Sequence, residues 1–201
     1  MAGTRRRATA ANGSRPIFKV VQRAFKNAQV ALVAAHVQQV VGHGVFFQHG
    51  LTVLASDGFN RTVAKGWGTA DIGGAWSLKG SSSNFAVANG ASTITIASAG
   101  GGPSAFLSDV SSTDTDSTVT FSADTTPTGT GTYVYLIGRR QGTTEYRLKV
   151  RIGAAGAVFL QATRVVSGTE TSLGTEARVS GVTLAAGSVL RLHGRITGTA
   201  P

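Results

Sequence analysis

The sequence predicts a mainly β protein: a jelly-roll-like antiparallel β-sandwich preceded by a basic N-terminal arm and an amphipathic helix. Three observations carry that expectation. Glycine occurs 27 times in 201 residues, and Ser and Thr crowd the second half, a composition suited to many short strands joined by tight turns. Residues 145–152 (EYRLKVRI) alternate strictly, with Tyr146, Leu148, Val150 and Ile152 on one side and Glu145, Arg147, Lys149 and Arg151 on the other, as a half-buried strand must. The charge is divided: residues 1–56 carry seven basic residues and no acid, while the remainder carries 12 basic and 9 acidic residues.

Residues 1–14 are small, polar and basic, with nothing to bury, so disorder is their expected state until a partner orders them. From Pro16 the pattern changes. Ile17, Val20, Val21, Ala24, Phe25 and Ala28 fall on one side of a helical wheel and Lys19, Gln22, Arg23 and Lys26 on the other; Ser14 and Pro16 are compatible start signals. The expectation is a basic amphipathic helix, open to a membrane surface, a partner's groove or its own domain. Residues 30–55, rich in valine and then broken by glycine, read as a connector with short strands at 45–48 and 51–54. The basic arm and helix (Arg5, Arg6, Arg7, Arg15, Phe18, Lys19, Phe25 and Lys26) are the expected anchoring and partner-contact residues.

Beyond residue 56 the strands become clear. Segments 132–140, 145–152 and 158–166, separated by turns at 141–144 and 153–156, predict a three-stranded antiparallel meander. A further turn at 167–169 leads into a strand at 170–173, and others are expected at 76–78, 85–87, 92–96, 104–107, 117–123 and 189–196. This many short strands at such spacing imply a sandwich or jelly roll. The resulting division is 1–14 flexible arm, 15–55 helix and connector acting as anchor, and 56–201 sandwich.

Composition also narrows the function. With no cysteine, neither a disulfide framework nor a thiolate metal site is available. No run approaches the ~18 apolar residues needed to span a bilayer, so membrane insertion is not expected. Arg5–Arg7 with the apolar run 30–35 would make a poor signal peptide, because Arg15, Lys19, Arg23 and Lys26 intervene; an unprocessed N-terminus is expected. The basic stretch lacks the aromatic interleaving of a nucleic-acid reader, so nucleic acid is not an expected partner.

Catalytic constellations are not apparent. Glu145, Glu170 and Glu176 are scattered, without the close carboxylate pair that retaining glycoside hydrolysis requires, and Asp114-Thr-Asp116 reads as turn chemistry. His36, His43 and His49 lack acidic or thiolate neighbours that would complete a metal site, and His193 lies on a strand's solvent face between Arg191 and Arg195. No cofactor, metal or enzymatic activity is expected. Binding has better candidates, because aromatic rings with polar neighbours stack on sugars. Trp76 and Tyr146 read as core; Trp67, Tyr133 and Tyr135 are the candidate glycan-binding residues, with Trp67, held between glycines, the foremost exposed candidate, although core packing is the favoured reading even there.

The opening Asp57-Gly-Phe-Asn-Arg-Thr-Val63, followed by Gly66-Trp-Gly-Thr-Ala-Asp71 and Gly73-Gly-Ala-Trp76, resembles that of a concanavalin A-like or laminin-G-like domain. Such domains occur in actinobacterial surface proteins and in minor tail or fibre proteins of phages infecting those hosts. The later stretch through Tyr146–Val150, Leu160, Arg164 and Gly168–Gly174 fits the same family's central meander. The resemblance covers most of 57–201 and none of 1–50, and its glycine and tryptophan landmarks imply architecture more than activity. Family members usually continue beyond the position of Pro201, which leaves a truncated chain or an edge supplied by a neighbouring copy as alternatives. The resemblance and the absence of an obvious export signal together imply a phage virion structural protein. Its partners would be other virion proteins, copies of itself and a host cell-wall glycan. The alternative is a secreted or cell-surface carbohydrate-binding module of an actinobacterium.

Overall fold

The computed structural model describes Ile17–Phe25, His36–Gln39 and residues 53–198. The described chain is mainly β, with every pairing antiparallel. Its strands are β1 (Ile17–Phe25), β2 (His36–Gln39), β3 (Val53–Asp57), β4 (Trp76–Lys79), β5 (Phe85–Ala88), β6 (Ala91–Thr95) and β7 (Ser104–Leu107). They continue with β8 (Thr115–Ser122), β9 (Thr132–Gln141), β10 (Thr144–Ile152), β11 (Ala157–Val166), β12 (Thr169–Ser172), β13 (Ala177–Thr183) and β14 (Val189–Ile196). One sheet runs β2-β14-β8-β1-β6-β5, with β3 also paired to β1; a second runs β12-β11-β10-β9, with β13 also on β11; β4 and β7 form a separate pair.

The strands expected beyond residue 56 all form, including the β9-β10-β11 meander, and β13 is an addition. The amphipathic helix does not. Ile17–Phe25 is a strand whose first half pairs with β6 and whose second half lies between β3 and β8. Five of its nine residues, Ile17, Phe18, Val20, Val21 and Phe25, are β-branched or aromatic. Neighbours on both edges supply the backbone partners that a helix would otherwise provide for itself, so tertiary pairing overrides a 3.6-residue pattern. Phe18, Lys19 and Phe25, expected as anchor residues, sit in register with Ile94, Thr93 and Asp116. The connector similarly contributes β2, on the edge beside β14, and β3. The arm 1–14, Arg5, Arg6, Arg7, Arg15, Lys26, His43, His49 and the expected strand at 45–48 lie outside the described residues.

Two apolar clusters organise the interior. The larger joins both sheets: Val119, Phe121, Leu190 and Leu192 from β8 and β14 meet Leu136, Leu148, Val150, Ile152 and Val158 from β9, β10 and β11. Burying each Leu, Ile, Val or Phe side chain contributes roughly 1.5–3 kcal/mol, so this shared face is the main force holding the sheets together. The smaller cluster gathers Phe59, Trp67, Trp76, Phe85 and Val87.

At the smaller cluster's edge, Asp57 is 1% exposed and fully engaged. It accepts from Arg61 Nη1 and Nη2 at 2.8 and 2.7 Å, from Trp76 Nε1 at 2.6 Å and from the Phe59 backbone N–H at 2.9 Å. Arg61 Nε in turn donates to the Trp67 carbonyl at 2.8 Å. The Asp-Gly-Phe-Asn-Arg run therefore fastens the loop before β4 to the strand that precedes it. Burial would raise the Asp57 carboxyl, but the hydrogen bonds from Arg61, Trp76 and Phe59, with the Arg61 charge, outweigh that and hold it below its ordinary range.

Candidate functional site

The outward face of the second sheet carries the candidate site. On β10, Leu148, Val150 and Ile152 point into the shared core, which leaves Arg147, Lys149 and Arg151 on the opposite face. On β9, Val134 and Leu136 face the core, and Tyr133 and Tyr135 stand outward, 38% and 37% exposed. The two tyrosine rings lie side by side, 6.4 Å between centroids with 23° between planes. Tyr135 is in register with Lys149 and Tyr133 with Arg151.

A bulge sets that register. Pairing passes from Tyr146↔Arg139 directly to Arg147↔Ile137, so Gly138 has no counterpart on β10. Thr115 Oγ1 of β8 donates to the Gly138 carbonyl at 2.7 Å, and a Cβ at Gly138 would come within 2.3 Å of Ile196 Cδ1. Glycine here leaves room for the Ile196 side chain of β14.

Each cation of the row has a carboxylate. Lys149 Nζ lies 3.2 Å from Glu170 Oε1, Arg151 Nη2 lies 2.5 Å from Glu176 Oε2, and Arg147 Nε donates to Glu145 Oε2 at 2.7 Å. The same cations cover ring faces: Lys149 Nζ is 4.9 Å from the Tyr133 centroid and 5.9 Å from that of Tyr135, Arg147 Cζ is 5.1 Å from Tyr135, and Arg151 Cζ is 3.9 Å from Phe159. Hydrogen bonding by Arg151 holds the Glu176 carboxyl below its ordinary range. Burial, followed by the charge of Glu170, raises the Tyr135 phenol, which keeps it a neutral O–H donor.

The candidate residues therefore separate. Tyr133 and Tyr135 come together on one face. Trp67 does not join them: it is 2% exposed, donates from Nε1 to the Thr93 carbonyl at 3.0 Å, and packs edge-on against Trp76 and Phe85 at 5.0 and 5.8 Å. The flanking glycines that suggested exposure instead let the loop fold over its own aromatic cluster. Trp76 is core as expected, whereas Tyr146 is half-buried beneath Arg164, 5.7 Å from ring centroid to Cζ. Glu145, expected on the solvent side, is buried between Arg140 and Arg147.

Sequence reasoning missed Glu170 and Glu176 as members of this face, because β12 and the segment before β13 reach it only through their pairing with β11. The opposite charges on neighbouring strands were the available signal. Elsewhere, His193 Nε2 pairs with Asp116 Oδ1 at 2.5 Å, and Asp114 Oδ1 accepts from the Gly198 N–H at 2.8 Å. Among the described residues no group of three or more His, Cys, Asp or Glu side chains is placed to hold a metal.

Compared with protein families, curated proteins and solved structures, the chain matches none.

Proposed function

We propose that the chain is a phage virion structural protein, a minor tail, fibre or surface-decoration component, that displays a glycan-binding β-sandwich. The carrying observation is the exposed, side-by-side Tyr133–Tyr135 pair on a sheet face whose other side packs the core. Stacked aromatic rings on a rigid sheet offer apolar area to the C–H faces of sugars without ordering a loop. The shared core of the two sheets supports the sandwich part of this reading, and the resemblance at Asp57–Trp76 supports a concanavalin A-like or laminin-G-like architecture for it. The basic residues upstream of β1 are the anchor in this reading, because β1 itself belongs to the sheet.

Binding rather than catalysis is proposed because Glu145, Glu170 and Glu176 are each paired with a cation. Glycoside hydrolysis needs one carboxyl kept protonated near neutrality, and ion pairing works in the opposite direction.

Removing residues 2–14 from the phage copy tests the placement. The expected result is particles without the protein, while the truncated chain purified separately keeps the full-length melting temperature. Particles carrying the truncated protein at normal copy number would overturn it. The tyrosine face also suits a secreted or cell-surface module; mass spectrometry of the natural N-terminus separates the two, since a cleaved leader would favour secretion.

A further inference from the structure

We infer that the tyrosine face is built for an uncharged polysaccharide and selects against acidic ones; this rests on the reading that the face binds glycans. In the sequence, Arg147, Lys149 and Arg151 form a row of positive charge that invites a polyanion. In the folded chain three carboxylates answer those three cations, Glu145 to Arg147, Glu170 to Lys149 and Glu176 to Arg151, so these three pairs sum to zero. Arg140 shares Glu145 but is turned onto Phe106, 4.0 Å from guanidinium to ring centroid.

The arrangement also fixes where the cations can reach. Lys149 is held at once by Glu170 and by both tyrosine rings, and Arg151 by Glu176 and Phe159. A carboxylate or phosphate on a ligand would have to displace Glu170 or Glu176 from its cation, or lie beside them and be repelled. A hydroxylated, uncharged sugar meets no such conflict. Its C–H face rests on the rings, and its hydroxyls donate to the half-exposed Glu170 and Glu176 oxygens without breaking either ion pair.

The test uses the full chain in affinity electrophoresis through gels containing either a neutral polymer (glucan, galactan, mannan or arabinan) or an acidic one (polygalacturonate or a phosphodiester-linked teichoic acid). The expected result is retardation by at least one neutral polymer, little changed when salt is raised about tenfold, because no counterions are released. Y133A/Y135A should weaken it on the order of tenfold. E170Q/E176Q should gain salt-sensitive retardation by polygalacturonate over that of the unaltered chain, whose basic N-terminal residues already attract a polyanion. Retardation by the acidic polymers that Y133A/Y135A removes, with none by the neutral ones, would overturn the neutral-ligand inference while leaving the glycan reading in place. No retardation by either class that Y133A/Y135A reduces would overturn both.

Discussion

Tyr135 of β9 stands directly opposite Lys149 of β10. Counted without slip from the Gln141↔Thr144 pair at the turn, Tyr135 would have faced Val150 and Tyr133 would have faced Ile152, both on the core side. The unpaired Gly138 moves the strand by one residue and so reverses which face the tyrosines occupy.

That relationship makes Gly138 a position where a single methyl reaches both the bulge and β14. In G138A the new Cβ would meet Ile196 Cδ1 at 2.3 Å, and relieving it must turn the Ile196 side chain or shift β14 or the bulge. The expected cost is about 1–3 kcal/mol by denaturant titration, accompanied by chemical-shift changes at Tyr133 and Tyr135. An unchanged midpoint would mean that the approach of β14 does not constrain the bulge.

Asp57 should dominate the stability of the Phe59–Trp67–Trp76 cluster. Substituting D57N removes the charge that faces Arg61 and is expected to cost about 3 kcal/mol, as for other half-broken buried pairs. The sign with pH follows from a folded-state carboxyl held below its unfolded value. Its contribution is complete above the ordinary carboxylate range and is lost as pH falls through that range towards the lower folded value. Unfolding midpoints of the unaltered chain and D57N should therefore converge in acid. A gap that widened in acid would contradict the assignment.

Thr163 offers the opposite outcome. Its residue is 1% exposed and its Oγ1 has no hydrogen-bond partner. Replacing the hydroxyl with a methyl in T163V keeps the β-branched shape and removes a desolvated polar atom. An increase of about 1 kcal/mol in unfolding free energy is expected; a loss of stability would show that the hydroxyl is satisfied in solution.

The limits of the sequence lie in pairing rather than in periodicity. β10 was legible because a strand with one face on a core must alternate, and the flanking turns gave β9 and β11. The burial of Glu145 was not, since it depends on Arg140 across the hairpin. β1 read as a helix because its apolar residues satisfy a 3.6-residue wheel, and nothing local announces the three strands that flank it. Trp67 leaves the candidate face and the tyrosine pair stays on it for the same kind of reason. The Trp67 side chain is buried by residues as distant as Thr93, while the tyrosines are turned outward by one extra residue in a hairpin.

Tyr133 and Tyr135 are the proposed binding surface, held in place by the rest of the described chain. Co-sedimentation of the full chain with purified actinobacterial cell walls, compared with Y133A/Y135A, tests that surface. The unaltered chain is expected to pellet with the walls, while most of the double variant stays in the supernatant with its melting temperature unchanged. Equal pelleting of the two proteins would contradict it.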